Sequence, residues 1–329
     1  MFRTPAAAAA LIAILTGPTS AAAYTVYVGN DQCPTNNSVT LLTGKPWTLG
    51  TTISVGNCPA GIAFAPDGSK AYVLNAGEST ITPIDTATFT AGAAFSAGVS
   101  VPIFVAVTPD GQSIVTAGAS SNTLAVISTA NTANVKTVTV GGSPQGVAVL
   151  PDSSAVYVAN QGGGSVSVVK LGANPKLVKT VSFPSPGCTP SGIAAAPDGA
   201  MVYAACTNGP LWPIKVAKNK AAAVPIAIPQ SCCTTQVAIT PNGKTAYVSN
   251  TLGAVYPVTL KTGVVGPAIP VPGAYGLAMS PDGKVLMVGD GDCCFIDTPL
   301  SVVSTTSNTV TTTIPTGANY VHRWLAFKP

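Results

Sequence analysis

The cysteines are the residues of this sequence with the most distinctive chemistry. There are eight, and four of them stand in two adjacent pairs. They are Cys33, Cys58, Cys188, Cys206, Cys232, Cys233, Cys293 and Cys294. In an exported chain cysteines mostly form disulfides, whereas in a reduced compartment they more often bind metal or act as reactive thiols. The compartment therefore decides between these chemistries.

Three interpretations of the cysteines are open. They can staple long loops, they can build a ligand platform around the adjacent pairs, or their thiolates can hold a metal ion. A bond between adjacent residues forces a tight ring, and such strain tends to persist at functional sites. A metal site is disfavoured because the sequence contains one histidine to assist the sulfurs. We therefore predict disulfides at all eight positions, with no metal and no cofactor.

The single histidine forms a second group of interest. His322 is followed directly by Arg323, so a ring donor and a permanent cation stand side by side. Such a pair at an opening suits a polar or anionic small ligand. The alternative is that both are ordinary surface residues.

Carboxylates are too few to suggest an acid–base pair. The sequence has eleven, and five of them follow a proline in a turn signal. Asp290-Gly291-Asp292 could bind a hard cation such as Ca²⁺, although two carboxylates beside glycine more often form a solvated turn. No nucleophile triad, nucleotide-binding glycine loop or zinc spacing is present. We predict no catalytic residue.

A repeated stretch must position these groups. A Pro-Asp-Gly turn, or a close variant, recurs every 40 to 46 residues. An apolar run precedes each turn, and a run ending in Tyr-Val-x-Asn or a looser match follows it. Pro, Asp and Gly between two apolar runs predict an antiparallel hairpin. A repeat of this length is typical of one four-stranded propeller blade.

The strand before each turn carries alanine at its centre. The seven copies are Ala63, Ala106, Ala148, Ala194, Ala238, Ala278 and Ala326. A strand near the axis of a ring has room for little more than a methyl on one face. The last copy, Leu325-Ala326-Phe327, lacks a following strand, and Tyr24–Gly29 lacks a preceding one. Together they complete one blade, which predicts an all-β, seven-bladed propeller closed by its two termini.

The motifs resemble those of the YVTN family of seven-bladed β-propellers. Tyr157-Val158-Ala159-Asn160 followed by Ser165–Val169 is the nearest copy. The resemblance covers nearly all of the chain after residue 23 and implies the fold. Similar propellers include surface-layer proteins, periplasmic binding proteins, lactonases and a streptogramin lyase. The His, Glu and Arg sets of such lyases and lactonases cannot be placed here, because the chain has one histidine and one glutamate.

Strand direction alternates within a blade, so loops before first strands and loops after second strands share a face. All eight cysteines fall on that face, in blades five, six, seven, one and two. The map favours Cys188–Cys206 within a blade and Cys33–Cys58 between neighbours. It leaves Cys232-Cys233 and Cys293-Cys294 to close on themselves or to cross-pair.

The same face holds the mouth of the central channel. We predict a ligand site there, built from the adjacent cysteine pairs and from side chains at the start of the first strands. Its residues are His322, Arg323, Tyr275, Gln236, Gln145, Cys232, Cys233, Cys293 and Cys294.

The N-terminus predicts export. Arg3 precedes an apolar run from Ala6 to Leu15, and Ala21-Ala22-Ala23 fits a signal-peptidase site. We predict a signal peptide over residues 1–23, a single propeller domain over residues 24–329, and a secreted or periplasmic monomer. The run is too short to span a bilayer. A net charge of +4 is too small to indicate nucleic acid.

Six lysines cluster on the predicted outer strands of blades four and five. They are Lys170, Lys176, Lys179, Lys215, Lys218 and Lys220. They could contact an anionic polymer or membrane headgroups, or they could protect exposed sheet edges from pairing. The predicted function is a binding or interaction scaffold for a small polar ligand or an envelope or protein partner. A lactonase-like or lyase-like enzyme and a structural envelope component are the alternatives.

Overall fold

A computed structural model describes residues 24–30, 37–44, 46–184, 187–230, 232–290, 299–316 and 325–329. Within these ranges the chain forms seven antiparallel sheets, each of which is one blade of a propeller. The only helical element among the described residues is a 3₁₀ turn at Val216–Lys218. The predicted all-β, seven-bladed architecture is confirmed.

Apart from the closing strand, each blade consists of strands that follow one another along the chain. Blade one contains β1 (Thr25–Asn30), β2 (Ser38–Thr43) and β3 (Thr48–Ser54). Blade two contains β4 (Pro59–Phe64), β5 (Lys70–Asn75), β6 (Thr80–Asp85), β7 (Thr90–Ala91) and β8 (Phe95–Ser96). Blade three contains β9 (Pro102–Val107), β10 (Ser113–Gly118), β11 (Thr123–Ser128) and β12 (Val135–Thr139).

Blade four contains β13 (Pro144–Val149), β14 (Ala155–Asn160), β15 (Ser165–Lys170) and β16 (Lys176–Ser182). Blade five contains β17 (Pro190–Ala195), β18 (Met201–Cys206), β19 (Leu211–Lys215) and β20 (Lys220–Ala221). Blade six contains β21 (Thr234–Ile239), β22 (Thr245–Asn250), β23 (Ala254–Thr259), β24 (Val264–Val265) and β25 (Ile269–Pro270). Blade seven contains β26 (Ala274–Met279), β27 (Val285–Asp290), β28 (Leu300–Ser304) and β29 (Thr309–Ile314), and β30 (Leu325–Phe327) returns to blade one.

The Pro-Asp-Gly turns form as predicted. In blade two, Asp67 Oδ1 accepts hydrogen bonds from Ser69 N at 3.0 Å and Ser69 Oγ at 2.8 Å. Gly68 follows with φ +69°, a left-handed conformation that glycine adopts without steric cost. These hydrogen bonds favour the ionised carboxylate and lower the pKa of Asp67. The aspartates of these turns are structural.

The hydrophobic core is divided into seven clusters, one between each pair of neighbouring blades. Between blades four and five, for example, Ala148 and Tyr157 pack against Trp212, which is fully buried. Ala148 and Tyr157 are cross-strand partners. Ala148 has a small side chain because its cross-strand partner Tyr157 is large and because the next blade packs closely against both.

The two chain ends close the ring in blade one. β30 pairs with β1, with Ala326 opposite Tyr27. Phe327 is 8% exposed and makes an edge contact with the ring of Tyr24. The Tyr24 hydroxyl in turn donates to Asp282 at 2.6 Å, which ties the N-terminal strand to blade seven. The predicted closure by β1 and β30 is confirmed.

The second-strand tyrosines reach across to the next blade with their hydroxyls. Tyr157 donates to Asn219, and Tyr247 donates to Asn308 at 2.6 Å. Both asparagines have positive φ and immediately precede a fourth strand. Phe89 holds this position opposite Tyr27, and the buried Tyr27 hydroxyl has no hydrogen-bond partner. The contact between blades one and two therefore lacks the tyrosine hydrogen bond that joins blades four and five and blades six and seven.

We expect Phe89→Asn to stabilise the protein. Asparagine tolerates the left-handed conformation better than phenylalanine does, and it can accept the Tyr27 hydrogen bond. An unsatisfied buried hydroxyl costs about 1–3 kcal/mol, so the free energy of unfolding should rise by a value in that range. Denaturant unfolding of Phe89→Asn, Tyr27→Phe and the double variant measures the coupling. A gain of the same size in the Tyr27→Phe background would contradict the hydrogen-bond explanation, because only the part due to the backbone conformation of residue 89 should remain there.

Candidate functional site

The innermost strands of the seven blades line a central channel. All of them run from one face of the disc, here called the cysteine face, to the face that bears the Pro-Asp-Gly turns, here called the turn face. A cavity of about 130 Å³ lies in the channel, level with the third and fourth residues of these strands. It is lined by Gly61, Ile62, Phe104, Val105, Gln236, Leu277 and Leu325. Six of these seven residues have no polar side-chain atom, and Gln236 contributes an amide.

Gln236 is the member of the predicted site that the structure places in this cavity. Its side-chain Oε1 accepts a hydrogen bond from Leu277 N at 3.3 Å, and its backbone N–H donates to Ser249 Oγ at 3.0 Å. The side chain therefore braces blade six against blade seven. A bound ligand would meet an amide that is already oriented by the backbone.

Gln145 and Tyr275 lie one position nearer to the cysteine face on their strands. Both are half-buried. The carbonyl of Tyr275 accepts Ser249 Oγ at 2.7 Å, so this part of the rim is also fixed by hydrogen bonds. The structure therefore places Gln145, Gln236 and Tyr275 on three innermost strands near one opening, but only Gln236 lines the cavity.

Five of the predicted cysteine-face residues lie outside the described part of the chain. They are Cys33, Cys293, Cys294, His322 and Arg323. Their position at the mouth stays a prediction.

The disulfide predicted within blade five is confirmed. Cys188 and Cys206 are bonded, with 5.3 Å between their Cα atoms. Both are almost fully buried. Cys58 is also disulfide-bonded, and its predicted partner Cys33 is outside the described residues. All described cysteines lie at the starts of first strands or the end of a second strand, as predicted for one face.

An asparagine holds the same loop in other blades. In blade four, Asn160 Oδ1 accepts Gly141 N at 3.1 Å, while its Nδ2 donates to Ser165 and Ser167 at 3.1 and 3.0 Å. A Cβ on Gly141 would lie 2.5 Å from Asn160 Cγ, so the loop needs glycine there. The asparagine of Tyr-Val-x-Asn is thus a clamp that fixes the cysteine-face loop.

Asn75 makes the same clamp in blade two. It accepts Gly56 N at 3.1 Å and donates to Thr80 and Thr82 at 3.0 and 2.8 Å. The sequence interpretation missed this role. The signal was present in blades one, two and four, because Ser or Thr occupies the first and third positions of the third strand after Asn30, Asn75 and Asn160.

In blade five, both the asparagine of the clamp and its hydroxyl partner on the third strand are replaced. Cys206 stands where Asn75 and Asn160 stand, and Trp212 takes the third-strand position of the acceptor hydroxyl. Trp212 is fully buried, and its Nε1 has no hydrogen-bond partner. A covalent bond and apolar packing therefore do what hydrogen bonds do in the neighbouring blades.

The predicted disulfides at Cys232 and Cys233 are not seen, because both residues carry free thiols in the structure. Cys232 occupies the position of Cys188, but the residue corresponding to Cys206 is Asn250. Asn250 Nδ2 donates to the carbonyl of Cys232 at 2.8 Å, so blade six uses an asparagine clamp and offers no sulfur within the blade.

The two thiols contact each other at the surface of the cysteine face. Cys232 is exposed and Cys233 is half-buried with φ +73°. A hydrogen bond with Cys232 and desolvation raise the pKa of the Cys233 thiol, so it is protonated at neutral pH. Cys233 N donates to Thr207 O at 2.7 Å, which joins this loop to the end of β18.

Each carboxylate whose side chain the structure describes accepts a hydrogen bond from a backbone N–H. Glu78 Oε1 accepts Asn57 N at 3.2 Å on the cysteine face. Asp85 Oδ1 accepts Thr88 N at 2.8 Å in the turn after β6. Among the described residues, no three His, Cys, Asp or Glu side chains lie close enough together to hold a metal ion. The described part of the face can bind through amides, thiols and backbone groups.

Comparison with solved structures shows the fold. A functionally unknown protein from Desulfotomaculum acetoxidans DSM 771 superposes with a TM-score of 0.76 and 17% identity, over 92% of this chain and 98% of its own. A "putative 6-phosphogluconolactonase" from Bacteroides fragilis NCTC 9343 gives 0.75 and 15%, over 94% and 99%. Hydrazine synthase of Kuenenia stuttgartiensis gives 0.71 and 22%, over 82% and 90%. No family model and no curated protein matches the chain, so the YVTN resemblance rests on the motifs.

Proposed function

We propose that this chain is an exported propeller that binds a small polar ligand at the channel mouth on its cysteine face. The observation that carries the proposal is the way the mouth is held. A disulfide in blade five and asparagine clamps in blades two, four and six fix the loops before the innermost strands. A site whose loops are ordered before binding loses less entropy when a ligand arrives.

Export is supported by the bonded cysteines. Cys188 and Cys206 are joined, and Cys58 is bonded as well. Structural disulfides persist in oxidising compartments such as the periplasm and the extracellular space. Among the described residues, no helix is long and apolar enough to cross a membrane. The proposal includes a secreted or periplasmic location and a monomeric state.

Ligand binding is expected to appear as a thermal shift without turnover. A ligand at 100 times its dissociation constant stabilises the folded state by about 2.7 kcal/mol. A panel of sugar phosphates, sugar acids and small dicarboxylates should contain members that raise the melting temperature. His322→Ala and Arg323→Ala should remove the shift, whereas Lys244→Ala on the turn face should keep it.

The same variants separate the alternatives. A lactonase-like enzyme would consume a sugar lactone, and His322→Ala or Arg323→Ala would abolish turnover while the protein stays folded. The likeness to the Bacteroides fragilis protein supports this alternative at the level of fold only. A structural envelope component would show neither shift nor turnover and would assemble on the cell surface.

A further inference from the structure

Two pairs of lysines face each other directly across neighbouring strands. Lys170 on β15 is the register partner of Lys176 on β16, and Lys215 on β19 is the partner of Lys220 on β20. Like charges in directly opposite positions destabilise a sheet. The corresponding pairs in blades two, six and seven are Asp85–Thr90, Thr259–Val264 and Ser304–Thr309. The turn itself therefore does not require two lysines.

Both pairs lie at the turn face, in blades four and five, which are neighbours in the ring. Lys218 lies in the turn between Lys215 and Lys220, and Lys179 lies on β16. Lys136 of blade three extends to the same region, where its ammonium donates to the carbonyl of Ala173. Seven cations thus line one continuous sector, here called the lysine rim: Lys136, Lys170, Lys176, Lys179, Lys215, Lys218 and Lys220.

The charges of the lysine rim are not neutralised within the described part of the protein. In that part of the chain the ion pair is Lys284–Asp282, at 3.8 Å, on blade seven. The turn-face carboxylates of blades four and five, Asp152 and Asp198, accept hydrogen bonds from Ser154 N and Ala200 N in their own turns. An anionic partner would supply the missing charge.

Apolar side chains are exposed in the middle of the rim. β16 is the outermost strand of blade four, and Leu177 and Val178 on it are 42% and 46% exposed. The pairing shifts at this point, since Val169 faces Leu177 while Val168 faces Lys179, and Val178 has no partner on β15. The two exposed apolar side chains therefore lie between Lys176 and Lys179 in sequence, at an irregularity in the strand pairing.

We propose that the lysine rim, with Leu177 and Val178, docks this protein on an anionic lipid bilayer. A bilayer with acidic headgroups attracts the lysines and also accepts exposed apolar side chains at its interface. A soluble polyanion would match the charges but would leave Leu177 and Val178 in water. Docking by this rim leaves the cysteine face and the channel mouth free on the opposite side of the disc.

Protection of sheet edges does not explain the whole rim. Lysines on an outermost strand discourage pairing with another chain, which fits Lys176 and Lys179. Lys170 and Lys215, however, lie on β15 and β19, which are third strands with partners on both sides. Their charges repel Lys176 and Lys220 without covering any open edge.

The test is binding to vesicles of phosphatidylcholine with and without phosphatidylglycerol. The intact protein should bind the phosphatidylglycerol vesicles, more weakly as salt is added. Each lysine near such a surface contributes roughly a fivefold change in affinity. Replacing Lys170, Lys176, Lys215 and Lys220 by Gln should therefore lower the affinity for the phosphatidylglycerol vesicles by roughly several hundredfold. Lys244→Gln with Lys261→Gln, on blade six, is the matched control and should change binding little.

If the quadruple variant does not fold, a double variant of the apolar residues and polyphosphate as a soluble anion provide the test. Leu177→Ser with Val178→Ser should weaken vesicle binding while leaving binding to polyphosphate unchanged. Polyphosphate binding without vesicle binding by the intact protein would overturn the proposal. Equal binding of the intact protein to both kinds of vesicle would also overturn the proposal. If the quadruple variant aggregates, failure of the intact protein to bind vesicles would overturn it as well.

Discussion

Deletion of residues 325–329 is expected to unfold the protein. β30 supplies the innermost strand of blade one, where Leu325, Ala326 and Phe327 pair with Val28, Tyr27 and Val26. Without it, β1 would present an unpaired edge to the channel, and the clusters on both sides of blade one would open. The truncated chain should lack a cooperative melting transition and should aggregate.

The milder variant Phe327→Ala allows the effect to be measured. Phe327 is 8% exposed and contacts the rings of Tyr24 and Trp47. Truncation of a buried phenylalanine costs about 3–5 kcal/mol. Leu49→Ala on the outer strand β3 is the control, because Leu49 is 45% exposed and should change stability by less than about 0.5 kcal/mol. Equal melting temperatures for these two variants would show that β30 does not hold the ring closed.

The sequence was sufficient for the parts of the fold that repeat. Pro-Asp-Gly has one favourable local geometry, so Asp67 and Gly68 could be placed in a turn without knowledge of their neighbours. The central alanines and the incomplete units at both termini predicted the ring and its closure. Each of these signals is local or is copied seven times.

Features that depend on differences between the blades could not be predicted in the same way. The clamp made by Asn160 requires knowledge that a second-strand asparagine and a third-strand serine meet on one side of the sheet. The lack of a sulfur partner for Cys232 follows from Asn250, which becomes visible only when blades five and six are aligned in register. The lysine pairs likewise depend on the length of the turn between third and fourth strands, which the sequence pattern left open.

These differences also divide the molecule by face. The cysteine face carries clamps and bonded sulfurs that restrict its loops, while the turn face carries the cations of the lysine rim. A scaffold that binds a ligand with one face and a surface with the other would need both properties. Vesicle binding and ligand binding test the two faces separately, because the vesicle-binding variants contain no cysteine-face residue.

Replacing both Cys188 and Cys206 by serine is expected to destabilise the protein strongly. The bond joins residues 18 apart, and closing a loop of about this size contributes roughly 3 kcal/mol. With an unfolding entropy of about 2.1 cal/mol/K per residue over roughly 300 residues, the melting temperature should fall by roughly 5 °C. Serine at position 206 has no amide with which to make the bonds of Asn75 and Asn160, so no asparagine clamp takes the place of the disulfide.

Cys232→Ser with Cys233→Ser is the matched control on the same face. These thiols are free, so their removal should change the free energy of unfolding by less than about 0.5 kcal/mol. Asn160→Ala provides the second comparison, since it removes the hydrogen-bonded clamp of blade four and should cost about 1–3 kcal/mol. A loss at Cys188 and Cys206 no larger than that of the control would mean that the disulfide does not do the work of the asparagine clamps. The loop of blade five would then be held by its backbone hydrogen bonds, and the pre-ordered mouth would depend on the asparagine clamps of blades two, four and six.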